Sequence, residues 1–298
     1  LHKRAQLKLP SADIVEETMP ILTDSEWLSK ERLPDIVYYD ANVQAKPAGH
    51  LFDFVLKYHA RIDEVMGKKP GYSLGLLQFA IRNYFYKQVI PEKNDLLLTA
   101  TRNSYDKIAV LLKQIDRAAS SRRWAMDYYS KTNQPEKLIL AARDFVYQGL
   151  LSMHIDSLQH ADSLDYVSFK QALRDGKIDS GKIDNWDAHK RIRRNKRMID
   201  LSYQLRDAAE AIYHNTNNRS YLQEACRWAY KANSWFPHFS SEAVYAALLF
   251  KTGNVEKGVA AMQLASRDSI LDANRSIRQL LEQNASAMQQ SQAPEKVW

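Results

Sequence analysis

The chain has 298 residues, of which 45% are hydrophobic, and its formal net charge is +7. This length and composition argue against disorder outside the ends and fit one elongated or two compact domains. The single cysteine excludes an internal disulfide framework and a cysteine-based zinc cluster. No apolar run approaches the roughly 18–20 residues that a membrane-spanning helix needs.

Helix breakers are scarce, which favours an all-α fold. Only nine Gly and nine Pro occur, long stretches carry apolar residues at helical spacing, and the alternation typical of strands is missing almost everywhere. We therefore predict stacked helical hairpins, an α-solenoid, in which each pair of helices buries a face against the next pair.

The first half of the chain divides at about residue 50. Residues 1–49 are expected to be irregular, because four prolines limit helices to short pieces at 12–18 and 24–32. Residues 50–160 are predicted to be a domain of helical hairpins. Its predicted helices are 51–65, 73–89, two between 93 and 132 with a turn near 118–123, and one from 133 to about 158.

The second half begins with a polar stretch. Residues 161–189 are predicted to be a solvated loop between two helical blocks. Helical repeats are predicted over 190–290, and the last of them is a capping helix at 272–290. Residues 291–298 are expected to fray.

Small residues recur at an interval of 33 positions in the last third of the chain. Ala225, Ala229 and Ala232 share one helical face, where small side chains let a neighbouring helix approach closely. Pro237 then ends the unit. One interval later the same positions hold Gly258, Met262 and Ala265.

This pattern resembles the tetratricopeptide repeat, a helical hairpin of about 34 residues. Residues 247–258 are similar to its helix-turn-helix joint, in which Gly253 takes a positive φ. The match departs from the consensus where Gly258 and Met262 replace the usual alanine and large aromatic residue. The resemblance implies a concave surface that holds a protein or peptide. Its predicted lining residues are Asp207, Glu210, His214, Asn217 and Lys251.

A narrower resemblance covers more of the chain. The segments that carry it are 21–27, 52–57, 203–213, 222–228 and 245–254. Together they resemble the helical region that follows the thioredoxin domain in some Bacteroidota thioredoxin-family envelope proteins. The redox domain itself is absent, since there is no Cys-x-x-Cys and Cys226 is alone. The resemblance implies a non-catalytic accessory module in the periplasm or cell envelope.

Three short patterns keep an enzymatic alternative open. They are Ser104-x-x-Lys107, Tyr213-x-Asn215 and Lys251-Thr-Gly253. They occur in the order used by penicillin-recognising serine enzymes, in which the serine is the nucleophile and the lysine its base. That chemistry requires the Lys-Thr-Gly element on an edge strand, and no strand is predicted.

The strongest charge feature has six basic residues in eight, from 190 to 197. On a continuous helix, four of them would share a face able to bind phosphates or an acidic protein surface. No second basic cluster accompanies them, so we favour a solvated helix face over a nucleic-acid site. The four residues are Lys190, Arg193, Arg194 and Arg197.

Two ligand-binding patterns are weaker. Gly176-x4-Gly181-Lys182 lacks the Ser or Thr that holds magnesium in a phosphate-binding loop. A possible metal-binding set includes two histidines six residues apart, which point about 120° away from each other on a helix. We therefore expect neither a cofactor nor a metal. The set consists of His154, Asp156, His160 and Asp162.

Overall fold

The computed structural model describes residues 23–31, 33, 47, 49–114, 117–179, 181, 186–268, 271 and 274–298. These residues form helices joined by turns, with no strand among them, which confirms the predicted all-α fold. None of the helices in these ranges is long and apolar enough to cross a membrane. The helix predicted at 12–18 falls outside the described residues. The chain divides into two compact units, Leu1–Thr132 and Asn133–Trp298.

The first unit consists of helices that pack mainly on their neighbours in sequence. They are α1 (Asp24–Trp27), α2 (His50–Val65), α3 (Tyr72–Tyr84), α4 (Ile90–Glu92), α5 (Asp95–Leu111) and α6 (Arg117–Lys131). A π-helical segment, Phe85–Val89, connects α3 to α4. Helix α2 packs on α3, α3 on α5, and α5 on α6.

The core of the first unit is built from aromatic and branched side chains on the inner faces of these helices. The Phe85 and Trp124 rings stack at a centroid distance of 4.9 Å. Tyr128 is fully buried, and its hydroxyl donates to Asp95 over 3.0 Å. Because a buried hydroxyl without a partner is destabilising, this bond stabilises Tyr128 in the core. Other fully buried members are Leu51, Phe52, Ile62, Leu77, Ile81 and Ile108.

The turn between α5 and α6 lies earlier than the predicted position near 118–123. Helix α5 ends at Leu111, and Lys113 then adopts a φ of +53°, the left-handed conformation that ends many helices. The small residues Ala119 and Ser121 do not interrupt α6. Both are buried in it, since small side chains allow a neighbouring helix to pack closely.

The second unit contains eight helices among its described residues. They are α7 (Pro135–Asp144), α8 (Ile155–Arg174), α9 (Trp186–Arg194), α10 (Lys196–Asn215), α11 (Arg219–Trp235), α12 (Phe239–Lys251), α13 (Val255–Ser266) and α14 (Arg275–Gln289). From α10 to α14 each helix packs on the next, and α10 also packs on α7, α8 and α12. The connections α10–α11, α11–α12 and α12–α13 are each three residues long.

Helix α8 corrects the predicted polar loop at 161–189. The helix that begins at Pro135 ends in a π-helical segment, Phe145–Leu150, so it does not run to 158. Helix α8 then occupies 161–174 of the predicted loop and α9 occupies 186–189, so the loop prediction is wrong for those residues. Most of α8 is polar because it faces solvent, and only a narrow stripe of it is buried. The stripe consists of Leu158, Asp162 and Phe169.

The prediction that residues 291–298 fray is wrong for residues 294–298, which we call the closing segment. Pro294 is buried and Val297 is fully buried. The sequence alone did not reveal this, because the segment has no periodicity and the side chains that it contacts lie 12–88 residues away along the chain.

The repeated small residues occupy comparable places in the two helix pairs. Ala225, Ala229 and Ala232 are fully buried on α11. On α13, a Cβ added at Gly258 would lie 2.9 Å from the carbonyl oxygen of Ala246 in α12, so only glycine allows this approach. Gly253 has the positive φ predicted for it, +93°, in the turn after α12.

Candidate partner-binding surface

Three of the five predicted partner-binding residues lie on one face of α10. Asp207, Glu210 and His214 follow each other at steps of three and four residues, which is about one helical turn each. The Glu210 carboxylate lies 3.9 Å from the His214 ring nitrogen. Asn217 is exposed in the turn beyond the end of α10, off this face. We call the surface formed by the partly exposed Asp207 and Glu210 and the exposed His214 the α10 face.

Lys251, the fifth predicted residue, binds other residues of the fold and does not offer its ammonium group to a partner. Its ammonium group donates to the main-chain oxygens of Tyr213 over 2.6 Å and Thr216 over 2.9 Å. It also lies 4.8 Å from the centre of the Tyr213 ring. Lys251 therefore connects the end of α12 to the last turn of α10, and partial burial there lowers its pKa.

Arg206, which sequence reasoning missed, is the buried cation beside the α10 face. Its side chain is 10% exposed. The guanidinium donates to Asp207 over 3.0 Å and to the Ser240 hydroxyl over 2.6 Å. Its carbon lies 4.7 Å from the ring centres of both Tyr203 and Trp298. A buried guanidinium requires such partners, and aromatic faces supply the attraction that solvent would otherwise give.

A sequence signal for Arg206 did exist. The residues around it at helical spacing are apolar or small and buried, so a charged residue among them had to find a partner inside the fold. The buried positions on this side of α10 are Ser202, Leu205, Ala209 and Tyr213.

The closing segment lies against α10 and α14. The Tyr213 hydroxyl donates to the main-chain oxygen of Pro294 over 2.6 Å. From α14, the Asn284 amide donates to the main-chain oxygens of Lys296 and Val297 over 2.9 and 3.0 Å.

Trp298 extends this contact onto the α10 face. Its indole N–H donates to Glu210 over 3.3 Å, and its ring centre lies 6.2 Å from that of Phe239. Through Glu210, the α10 face is therefore in contact with the closing segment of the same chain. The closing segment presents an aromatic ring to this face, and its main-chain carbonyls accept from Tyr213 and Asn284 beside the face.

Tyr213 is suited to a permanent donor role in this contact. Burial raises the pKa of its phenol to about 12. The hydroxyl therefore keeps its proton throughout the neutral range and can always donate to a main-chain carbonyl.

A cleft of about 360 Å³ lies at the N-terminus of α12, lined by residues that include Arg191, His238 and Asp268. The Nδ1 atom of His238 accepts from the Ser240 main-chain N–H and lies 2.7 Å from the Ser240 hydroxyl. Burial lowers the pKa of His238 to about 4, so the ring is neutral at physiological pH.

His238 and Ser240 lie close together, but they do not form a catalytic pair of nucleophile and base. A nucleophilic serine must reach its substrate, whereas Ser240 is fully buried. Its hydroxyl oxygen also accepts a hydrogen bond from the Arg206 guanidinium. The arrangement is a helix cap, in which a side chain of the residue before α12 satisfies one of the first free N–H groups.

Cys226 borders a second cleft, of about 430 Å³, together with Tyr230 and Tyr245. Burial raises the pKa of its thiol to about 11. The thiolate is the reactive form, so this cysteine is unreactive near neutral pH.

The predicted basic face at 190–197 is interrupted. Helix α9 ends at Arg194 and α10 begins at Lys196, so Arg197 does not continue the face that the sequence predicted. Arg197 instead pairs with Asp162 over 3.1 Å and Asp165 over 2.6 Å. The expectation that all four basic residues share one helix face is wrong, because the helix breaks between them.

The remaining basic residues of the patch differ in their contacts. Lys190 pairs with Asp187 over 2.6 Å. Arg193 donates to His189 over 3.2 Å, while Arg194 is exposed. Local partners thus already neutralise part of this charge, which weakens an argument for phosphate binding.

Each pattern considered for serine-enzyme chemistry lies in a helix or in the turn after one. Ser104 is buried within α5 at 2% exposure. Residues 251–253 lie at the end of α12 and in its following turn, where the Lys-Thr-Gly element has no strand. Of the phosphate-loop pattern, Lys182 falls outside the described residues.

The set considered for a metal is also not assembled. Asp162 is 2% exposed and receives the Arg197 contacts described above. Among the residues that the structure describes, no cluster of three or more His, Cys, Asp or Glu side chains could hold a metal ion.

Comparison of this chain with known protein families, with curated proteins and with solved structures gives no match.

Proposed function

We propose that residues 190–290 form tetratricopeptide-like hairpins that bind another protein or a peptide through the α10 face. The observation that carries the proposal is the contact of the closing segment with this face through Trp298 and Glu210. Beside the face, Tyr213 and Asn284 bind main-chain carbonyls of the same segment. Groups that already bind one non-helical segment are chemically suited to bind another.

The packing of α10 to α13 supports the hairpin part of the proposal. Two helix pairs, α10–α11 and α12–α13, are connected by turns of equal length, and their first helices contact each other. Small residues separated by 33 positions lie in the second helix of each pair. Stacked hairpins of this kind present their first helices on a common surface.

Photo-crosslinking tests the α10 face as a partner surface. Benzoylphenylalanine placed at His214, whose side chain is 40% exposed, is expected to give a discrete adduct with another protein in the producing cells. Mass spectrometry identifies the adduct. The matched control carries the same group at exposed Lys257 on α13 and is expected to give none. Equal adducts at both positions, or an adduct at His214 only to residues 294–298, would contradict the proposal.

We further propose, from the resemblance, that this module supports a thioredoxin-family protein of the cell envelope. A non-catalytic role is compatible with the unreactive Cys226 thiol. Mass spectrometry of the native gene product and cell fractionation provide the test. A cytoplasmic product without any thioredoxin-type sequence would remove this part of the proposal and leave peptide binding at the α10 face intact.

A further inference from the structure

The contacts of the closing segment are of two kinds. The first kind involves only its main chain and does not depend on its side chains. Tyr213 and Asn284 bind the main-chain oxygens of Pro294, Lys296 and Val297 at 2.6–3.0 Å. Every peptide offers main-chain carbonyls, so these bonds fix the position of the segment on the surface and do not depend on its side chains. The Asn284 side chain is itself almost completely buried, at 7% exposure.

The second kind of contact selects side chains. Val297 is fully buried, which favours an apolar residue at that position. The next residue, Trp298, places its ring 4.7 Å from the Arg206 guanidinium carbon and donates its indole N–H to Glu210. An aromatic ring with a hydrogen-bond donor satisfies both groups, whereas an aliphatic residue would satisfy neither.

The receiving groups are held in place by the helices themselves. Arg206 is oriented by Asp207 and Ser240, and neither bond involves the closing segment. Tyr213 is fixed from its other side by the Lys251 ammonium group over its ring. The site would therefore keep its shape when the segment leaves, which is the property expected of a binding site whose occupant can be exchanged.

We propose that Arg206, Glu210, Tyr213 and Asn284 form a binding site for a non-helical peptide of another protein that carries an apolar residue followed by an aromatic one. Residues 294–298 are the built-in competitor for this site. The inference deepens the proposed function and rests on it. A partner must displace the closing segment, so the apparent affinity falls in proportion to the fraction of molecules in which the site is free.

A fluorescent, amidated peptide with the sequence of residues 291–298 is the probe. Its binding is measured by fluorescence anisotropy on the full chain and on the variant V297D/W298A, in which the built-in segment is weakened. If the segment fills the site in about nine-tenths of molecules, the variant is expected to bind the peptide about tenfold more tightly. Should V297D/W298A fail to fold by circular dichroism, Trp298→Ala alone replaces it, because Trp298 is only partly buried.

Two controls make the result specific. Glu295→Ala changes an exposed residue of the segment and is expected to leave peptide affinity at the value of the unchanged chain. Adding Asn284→Ala to the released variant removes the carbonyl-binding amide and is expected to abolish the gain. A probe in which the valine and tryptophan are replaced by aspartate and alanine is expected not to bind.

Three outcomes would overturn the inference. One is equal peptide affinity in the unchanged and released proteins, and another is no binding to the released protein. The third is a dimer, detected by light scattering and lost in Trp298→Ala, in which the segment of one copy occupies the site of another. Photo-crosslinking at His214 to a foreign protein would still support the proposed function in each case, so the two failures can be distinguished.

Discussion

Gly258 shows how one missing side chain sets a helix–helix distance. A Cβ there would lie 2.9 Å from the Ala246 oxygen and 3.0 Å from the Phe250 nitrogen, both main-chain atoms that cannot move away independently. Gly258→Ala is expected to lower the free energy of unfolding by about 1–3 kcal/mol through overpacking. Urea unfolding followed by circular dichroism measures this.

Gly75 provides the matched control in another helix. It lies within α3, and a Cβ there would meet nothing within 4 Å. Gly75→Ala is expected to raise stability by about 0.5–1 kcal/mol, because alanine loses less backbone entropy in a helix. If both substitutions stabilise the protein, close packing at Gly258 is not what the glycine provides.

His238 predicts a loss of stability in acid. Its pKa is about 4 in the folded chain, against 6.5 for the ordinary side chain. Between these values the unfolded chain binds a proton that the folded chain does not, so stability falls as the pH drops from 6.5 towards 4. We expect the free energy of unfolding to fall by about 1–2 kcal/mol over this range. This is less than the whole pKa difference would give, because the ring is only partly buried.

The variant His238→Asn isolates this effect. Asparagine can cap α12 equally well but does not titrate. The difference in stability between about pH 7.5 and about pH 4.5 is expected to be smaller in the variant than in the unchanged chain. Nearby Asp268, Glu242, Arg191 and Arg206 are present in both proteins, so their effects cancel to first order. Identical pH profiles would refute the assignment to His238.

At the scale of elements, aspartates from one part of the fold cap the beginning of a helix elsewhere. Asp63 accepts from the Gly71 and Ser73 main-chain N–H groups at the start of α3, over 2.7 and 2.9 Å. Asp268 accepts from the first N–H of α12, that of Phe239, over 3.0 Å. Such contacts satisfy free N–H groups and place a negative charge at the positive end of the helix dipole.

Asp162 does the same for α10 and carries the element-scale prediction. It accepts from the main-chain N–H groups of Arg197 and Met198, over 3.1 and 3.3 Å, and pairs with the Arg197 side chain. Asp162→Ala leaves these donors without that partner and is expected to cost about 2–4 kcal/mol. Asp165, an exposed partner of the same arginine, is the control, and Asp165→Ala is expected to cost less than about 1 kcal/mol.

Urea denaturation of the two aspartate variants separates capping from charge pairing. A similar loss in both would show that only the ion pair with Arg197 matters. A large loss confined to Asp162→Ala would show that α8 stabilises α10 through the N–H groups of its first turn.

At the scale of the whole molecule, the two compact units predict independent folding. The residues that form the proposed peptide site all lie in Asn133–Trp298, as do their buried neighbours on α10 to α14. A fragment of residues 133–298 is therefore expected to be helical by circular dichroism and to unfold cooperatively. A fragment without cooperative unfolding would show that the second unit depends on residues of the first.

Helices with a broad apolar face were predictable from spacing. The apolar stripe that begins at Leu51 predicted α2, and the small residues Ala225, Ala229 and Ala232 predicted a closely packed α11. Helix α8 was missed because its buried stripe is narrow and includes a charged residue, Asp162. From the sequence alone, a buried carboxylate looks like a solvent-exposed residue, because the partner that allows its burial is not known.

The candidate site was predictable only in part. The resemblance to the tetratricopeptide repeat predicted Asp207, Glu210 and His214 on one surface, and α10 places these three on one face. It assigned Lys251 to the same surface, whereas its ammonium group binds carbonyls at the end of α10. Arg206 went unnoticed although the apolar and small residues around it indicated a buried charge, since its partner Ser240 lies 34 residues away.

The sequence by itself determined that this chain is helical, since apolar residues at helical spacing form one face of each segment that is buried in the core. It also determined where small residues let helices approach. Only the tertiary structure decided that Tyr213, Asn284 and Glu210 meet residues 294–298. Those bonds join groups up to 88 residues apart, and contacts over such separations form only when packing of the helices has brought both ends together.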